Sequence, residues 1–219
     1  LIMPVAVSKE NKRFDLPFCI AVSVLTLLLV FNFFTGGEAQ INRLDSFMLL
    51  LCFAGFMWHS LRGNKKEEVV DDVIITNKQL AIGIAQVVVG LGALIIASRF
   101  FLDNAITIAE AWGVNEAFIA ITLVACGTSL PELAASLVAA SKKNTQLALG
   151  NIIGSNIFNL TLILGVGAQI TPLTTSGITF VDYVVMISAA IVPLVLGVKG
   201  KLNRWAGALM FLCFVGYNY

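Results

Sequence analysis

The sequence predicts an all-α, polytopic membrane protein with seven transmembrane helices. Hydrophobic residues make up 58% of the 219-residue chain and charged residues only 12%, about half the charged share of an ordinary soluble domain. Helices are expected because the apolar stretches are long and continuous, whereas barrel strands would be short and alternating. A crossing helix needs about 20 residues. Seven segments reach or approach that length: 16–34, 46–61, 80–102, 117–140, 147–170, 180–198 and 203–219.

Composition also narrows the class of function. The net charge is +1, which gives no reason to expect a nucleic-acid or acidic partner. The four cysteines lie in four different apolar segments, without the spacing of a metal site or a disulfide framework, at Cys19, Cys52, Cys126 and Cys213. We therefore expect buried free thiols and no resident cofactor.

Basic residues predict the direction of the spans. Every lysine and arginine except Arg43 and Arg99 lies in alternate connections between the apolar segments. The positive-inside rule assigns those connections to the cytoplasm. The chain is therefore expected to begin inside and, after seven crossings, to end outside.

Two segments of the chain resemble each other. Residues 41–58 align without gaps on 202–219, with identities that include the polar entry Asn42-Arg43 and Asn203-Arg204. Upstream, Pro4 matches Pro172, and Phe14-Asp15 resembles the Phe180–Asp182 stretch. The copies lie five spans apart, so they would have opposite orientations in the membrane, as in the inverted repeats of secondary transporters. Chance similarity between two apolar helices is the alternative.

One carboxylate stands out at membrane depth. Glu132 is the only charged side chain between Glu116 and Lys142. A charge at the bilayer centre costs about 2.5–3.5 kcal/mol on insertion scales, so such residues usually have a function. Pro131 just before it lacks an N–H and clashes with the carbonyl of Gly127, which predicts a broken helix with released backbone carbonyls.

Polar residues line up beside this carboxylate and on the next span. Thr128 and Glu132 are four residues apart, hence on one helical face, with Ser129 beside them. The fifth span places three more polar residues at the same spacing, namely Asn151, Ser155 and Asn159. Carboxylate, hydroxyl, amide and carbonyl oxygens form the ligand set that hard cations prefer, and calcium takes about 6–8 of them.

Four alternatives remain beside a cation site. Hydroxyls and amides can simply join helices, although this explains a carboxylate poorly. A buried carboxyl can also hold a proton, so coupling to protons instead of sodium stays open. A non-transporting scaffold is compatible with the charge pattern but gives no reason for Glu132. A membrane enzyme with Ser129 as nucleophile is disfavoured because no His or Lys lies at membrane depth to act as its base.

The motifs carry a family resemblance. GTSLPELAASLVAA (127–140), followed by ALGNIIGSNIFNLTLILG (148–165), resembles the second α-repeat of the calcium/cation antiporter superfamily, and most of all bacterial sodium/calcium exchanger-like proteins. The match is dense over these two motifs and looser elsewhere. By motif position, the resemblance implies six ion ligands: Glu132, Thr128, Ser129, Ala125 through its carbonyl, Ser155 and Asn159. Some branches of the superfamily, including potassium-dependent exchangers, have Asp at the position of Asn159, so potassium dependence is not expected.

The internal repeat predicts an architecture, and the resemblance implies the same architecture and an activity. Residues 1–74 would hold the last two spans of a first inverted repeat and a cytoplasmic linker, and 75–219 the second repeat, with the α-repeat at about 117–170. Three further spans, with a partner glutamate, would precede Leu1 and complete ten helices. The expected function is an antiporter of the inner or plasma membrane that exchanges calcium, or a related cation, for sodium by alternating access. The expected partners are these ions, the lipid bilayer and the missing N-terminal repeat.

Overall fold

The described chain is almost entirely helical. A computed structural model describes residues 5–8, 11–31, 40–63, 76–114, 119, 125–174, 179–197 and 201–217. Its α-helices are α1 Leu16–Val30, α2 Arg43–Gly63, α3 Asn77–Ala111, α4 Ala125–Thr128, α5 Leu130–Ser141, α6 Thr145–Phe158, α7 Leu164–Ile170, α8 Phe180–Leu196 and α9 Arg204–Tyr217. Two π-helical turns, π1 Asn11–Asp15 and π2 Asn159–Ile163, lead into α1 and join α6 to α7.

All seven predicted spans have a helix in the described residues. Four continuous helical stretches are long and apolar enough to cross a membrane: Asn11–Val30, Arg43–Arg62, Asn77–Ala111 and Thr145–Ile170. Three shorter apolar helices account for the other segments: Leu130–Ser141, Phe180–Leu196 and Arg204–Tyr217. The prediction of an all-α, polytopic membrane protein is confirmed.

The chain divides into two compact units. The bundle unit comprises residues 1–67 and 139–217, and the α3 unit comprises residues 68–138. The bundle unit has two buried apolar clusters. One brings Leu16 and Cys19 of α1 against Leu149, Ile153 and Ile157 of α6. The second contains Val30, Ile41, Ala168 and Tyr183.

Two short strand pairs, which the sequence did not predict, tie distant parts of the bundle unit together. Strand β1 (Val5–Ala6) pairs antiparallel with β4 (Lys201–Leu202), and β2 (Gln40–Ile41) pairs antiparallel with β3 (Leu173–Thr174). Each strand comes shortly before one of the four bundle helices α1, α2, α8 and α9. The pairs therefore join the chain ahead of α1 to the chain ahead of α9, and the chain ahead of α2 to the chain ahead of α8.

The strand pairs are equivalent under the repeat alignment of the sequence. That alignment matches Ile41 with Leu202 and, through the two prolines, Val5 with Leu173. The observed pair Val5–Leu202 then maps onto Leu173–Ile41, which is the observed register of β2 and β3.

The strand pairs also constrain the number of crossings. Strands can pair only when both lie on the same side of the membrane, so an even number of spans must separate them. Six of the seven spans lie between β1 and β4, and four lie between β2 and β3. Both pairs are therefore compatible with the first six segments all crossing.

The repeated Asn-Arg dipeptide has a structural role as a helix start. The Asn42 Oδ1 atom accepts hydrogen bonds from the backbone N–H groups of Leu44 and Asp45, at 2.8 and 3.0 Å. The Asn203 Oδ1 atom accepts one from the N–H of Ala206 at 2.8 Å. Asparagine is among the best residues at this position because its side chain satisfies N–H groups that have no partner within the helix.

Two helices end in the same left-handed turn. After α3, Gly113 has φ 74°, and the N–H of Val114 bonds to the carbonyl of Ala109. After α5, Lys143 has φ 61°, and the N–H of Asn144 bonds to the carbonyl of Ala139. This is the Schellman motif, in which glycine is preferred because it has no Cβ to clash. Lys143 leads directly into α6, whose first turn is capped by Asn144.

Candidate cation site

The helix break predicted before Glu132 is present. Helix α4 ends at Thr128, Ser129 forms a turn, and α5 begins at Leu130. Pro131 thus lies in the first turn of α5, where its missing N–H costs nothing. The helix resumes with a hydrogen bond from the N–H of Leu133 to the carbonyl of Ser129 at 3.0 Å.

Glu132 lies at the start of the second half-helix. It belongs to the first turn of α5, its side chain is partly buried, and its Oε2 atom is shielded from solvent. The N-terminal turn of a helix carries a partial positive charge, which favours an anionic side chain there. Thr128 and Ser129, four and three residues before Glu132, are exposed. Ala125 lies at the first position of α4, so its backbone is described.

A glycine lets this element approach α3 closely. A Cβ on Gly127 would come within 2.6 Å of Leu102 Cδ1 and 2.9 Å of Leu102 Cδ2. Any side chain at position 127 would therefore displace Leu102 or move α4 away from α3. Gly127, which belongs to the sequence motif, therefore leaves room for the Leu102 side chain between α4 and α3.

The second group of predicted ligands lies on the outer side of α6. Leu149, Ile153 and Ile157 recur every four residues and are buried in the core of the bundle unit. Asn151, Ser155 and Asn159 follow each of them by two positions, which is about 200° around a helix. Asn151 and Ser155 are partly buried and Asn159 is exposed. The polar stripe therefore faces away from the apolar core of its unit.

A π-helical turn begins at Asn159. The N–H of Asn159 still bonds back to the carbonyl of Ser155, but its own carbonyl accepts from the N–H of Leu164, five residues on. Such wide turns are rare and often occur at functional sites. The sequence prediction of one regular helix over 147–170 missed this feature, because NLTLI carries no composition signal that separates a π-turn from an α-helix.

The six predicted ligands fall into two groups. Ala125, Thr128, Ser129 and Glu132 belong to the α3 unit, whereas Ser155 and Asn159 belong to the bundle unit. Across the described residues, no group of three or more His, Cys, Asp or Glu side chains could hold a metal ion. The candidate ligands are instead hydroxyl, amide and carbonyl oxygens with one carboxylate.

Comparison with known proteins gives a consistent assignment. A family model described as sodium/calcium exchanger protein matches residues 82–219. CaxA of Alkalimonas amylolytica is 33% identical over 100% of this chain and 70% of its own length. The inner membrane protein YrbG of Escherichia coli is 30% identical over 88% of this chain and 60% of its own length. The sodium/calcium exchanger MaX1 of Methanosarcina acetivorans is 35% identical over 64% of this chain and 42% of its own length.

A solved structure agrees with these relatives. The sodium-calcium exchanger NCX_Mj, soaked with 10 mM Na+ and zero Ca2+, matches with a TM-score of 0.80 at 26% identity. The match covers 98% of this chain and 68% of that one. This chain therefore spans between 42 and 70% of the length of these four proteins. The members of this family are transporters and not enzymes, and the chain belongs to the sodium/calcium exchanger protein family.

Proposed function

We propose that this protein is a secondary active antiporter that exchanges calcium, or a related divalent cation, for sodium across the inner membrane. Two of the relatives, MaX1 and NCX_Mj, are named as sodium/calcium exchangers, and YrbG is named as an inner membrane protein. Exchange by alternating access needs only that one site binds either ion and faces each side of the membrane in turn. No resident cofactor takes part.

The observation that carries this proposal is the position of Glu132. A lone carboxylate follows a broken helix within an apolar span and lies in the positive N-terminal turn of α5. Helix joining gains nothing from a costly charge at membrane depth, whereas a carboxylate attracts a cation directly. Oxygen ligands around one carboxylate suit calcium, and sodium accepts the same hard ligands.

The ligand set of this site has six proposed members. Glu132 supplies the carboxylate, Thr128 and Ser129 supply hydroxyl or backbone oxygens, and Ala125 supplies its carbonyl. Ser155 and Asn159 contribute from the stripe on α6. The stripe supports this role because it faces away from the core of its own unit.

We further propose that the chain is the larger part of an inverted-repeat transporter. Residues 1–74 would end the first repeat and 75–219 would form the second, with a cytoplasmic N-terminus and an outside C-terminus. The equivalence of the two strand pairs under the repeat alignment supports this division. A first α-repeat with its own glutamate would complete the cage, and the greater length of the relatives leaves room for it.

The test is sodium-dependent calcium uptake into vesicles that carry the full-length protein. We expect Glu132→Gln to lower the uptake rate by at least about tenfold, because a neutral amide cannot balance a divalent charge in a low-dielectric site. Glu110→Gln, which changes an exposed glutamate of α3, is the matched control and should leave uptake unchanged. Intact uptake in Glu132→Gln would refute the site, and uptake driven by a proton gradient in place of sodium would refute sodium coupling.

A further inference from the structure

One face of the fifth span stays buried over a longer run than a regular α-helix would give. Every fourth residue from α6 through π2 into α7 is buried: Leu149, Ile153, Ile157, Thr161 and Gly165. In an α-helix each residue advances about 100°, so a spacing of four turns the side chain by about 40° per step. Four such steps would carry Gly165 about 160° away from Leu149. An extra residue in a wide turn removes about 100° of this drift, and π2 supplies that turn within the run.

The two ends of this wide turn lie in different surroundings. Beyond it, Gly165 packs against α2, where a Cβ would come within 3.0 Å of Leu50 Cδ2 and 3.3 Å of the Ser46 carbonyl oxygen. At its start, Asn159 is exposed and belongs to the proposed ligand set. Because the far end is held against α2, the geometry of the turn sets the direction in which the Asn159 side chain leaves the helix.

Thr161 lies in the middle of the wide turn. Its side chain is fully buried, and its Oγ1 atom donates a hydrogen bond to the Ile157 carbonyl at 2.6 Å. A hydroxyl that bonds to the carbonyl four residues back competes with the backbone N–H of the helical ladder and bends the helix. Thr26 makes the same kind of bond to the Val22 carbonyl at 2.9 Å within the regular helix α1. The bond therefore does not create a wide turn by itself, but at Thr161 it ties the turn to the last buried residue of α6.

We propose that Thr161 is a positioning residue of the cation site and acts through Asn159. Its hydrogen bond to the Ile157 carbonyl keeps π2 in one conformation, and this conformation directs the Asn159 amide oxygen toward the ion. Thr161 does not touch the ion itself, because its side chain is buried in the bundle unit with the core residues of α6. This inference rests on the proposed function and adds a residue that lies outside the proposed ligand set.

The experiment measures the KM for calcium in sodium-dependent uptake by the full-length protein. Thr161→Val keeps the shape of the side chain and removes the hydroxyl, so the KM should rise about fivefold, which is the effect of one typical hydrogen bond. The maximal rate should change little. Thr161→Ser retains the hydroxyl and should keep a KM close to that of the wild type. Thr26→Val is the matched control, because it removes another buried hydroxyl bond from α1, and it should leave the KM unchanged.

A double substitution shows whether Thr161 acts through Asn159. In an Asn159→Ala background, Thr161→Val should cause no further rise in KM, because the side chain that Thr161 positions is gone. A wild-type KM in Thr161→Val, an equal rise in Thr26→Val, or a further rise of similar size in the double variant would overturn the proposal. If Thr161→Val folds poorly, Thr161→Ser and Thr161→Ala replace it, since both lack the γ-methyl group and only serine has the hydroxyl. Equal KM values for these two variants would likewise overturn it.

Calcium binding separates this proposal from the proposed exchange. Calcium should raise the Tm of the purified protein, and Thr161→Val should need about fivefold more calcium for the same rise. If calcium gives these shifts but no sodium-dependent uptake occurs, the exchange is refuted and the role of Thr161 stands. If the wild type exchanges calcium and Thr161→Val does so with an unchanged KM, the role of Thr161 is refuted and the exchange stands. No Tm response together with no uptake would refute both.

Discussion

At the scale of single residues, the small number of charged groups in the candidate site limits the affinity for a divalent cation that we expect of it. Glu132 is the one acid among the six proposed ligands, and the stripe of Asn151, Ser155 and Asn159 is made of neutral groups. Calcium affinity in proteins rises with the number of charged ligands. In the proposed site, a neutral amide at Asn159 would therefore give weaker binding of a divalent cation than a carboxylate at that position.

The substitution Asn159→Asp tests whether Asn159 is one of the ion ligands. The added carboxylate should lower the KM for calcium by about tenfold, which corresponds to about 1.4 kcal/mol, because a nearby negative charge attracts a divalent cation more strongly. Asn156→Asp is the control, because Asn156 lies one position round the helix from Ser155 and is exposed. Equal changes in KM from both variants, measured by calcium uptake at fixed sodium, would remove Asn159 from the ligand set.

The residue level was also the most predictable from sequence. The break before Glu132 follows from the local chemistry of Pro131 and appears in the structure as the turn at Ser129. Asn42 and Asn203 cap α2 and α9, and this shared structural role accounts for the Asn-Arg dipeptide that occurs at the start of both segments. The π-turn at Asn159 was missed because the residue types of the segment do not distinguish it from an α-helix.

At the scale of elements, helix ends explain most of the differences from the predicted spans. The third span was predicted as 80–102, and the polar residues Asp103 and Asn104 follow it directly. The helix continues to Ala111 because nothing in that stretch interrupts it before Gly113 turns the chain. A change of polarity therefore marked where the apolar segment ends but not where the helix ends.

The turn after α5 allows a direct test of how much a left-handed backbone conformation destabilises the protein when the residue is not glycine. Lys143 occupies the left-handed position that Gly113 fills after α3. Lys143→Gly should raise the free energy of unfolding by about 1 kcal/mol, because the left-handed conformation strains any residue with a Cβ. Thermal unfolding of the purified protein in detergent would show it as a higher Tm.

The variant Lys142→Gly is the control for Lys143→Gly, because it also removes one positive charge from the same turn. Lys142 precedes the left-handed position and its backbone φ is negative, so glycine gains nothing there and adds flexibility. A Tm for Lys143→Gly no higher than that of Lys142→Gly would contradict the argument.

At the scale of the whole molecule, the strand pairs relate segments that no local pattern connects. Two-residue strands carry no periodicity, so their pairing could not be predicted from the sequence. With the repeat alignment, however, they join equivalent positions, and with seven crossings they require one pair on each side of the membrane. The predicted orientation places β1 and β4 inside and β2 and β3 outside.

Cysteine labelling tests that orientation. In a background without the four native cysteines, an impermeant thiol reagent applied to intact cells should label Gln40→Cys and Thr174→Cys. Lys201→Cys should react only after the membrane is opened, because basic connections remain inside. Labelling of Lys201→Cys alone would show that the orientation is the reverse of the predicted one. Different results for Gln40→Cys and Thr174→Cys would contradict the pairing of β2 with β3.

The pairing of β1 with β4 has a consequence for how the protein is made. Strand β1 lies at the beginning of this chain and β4 just before its last helix. At a synthesis rate of about 5–20 residues per second, β4 follows β1 out of the ribosome by about 10–40 s. During that interval the first helices already occupy the membrane while their closing partner does not yet exist. The membrane must therefore hold α1 while β1 still lacks its strand partner, until residues 201–202 have been made.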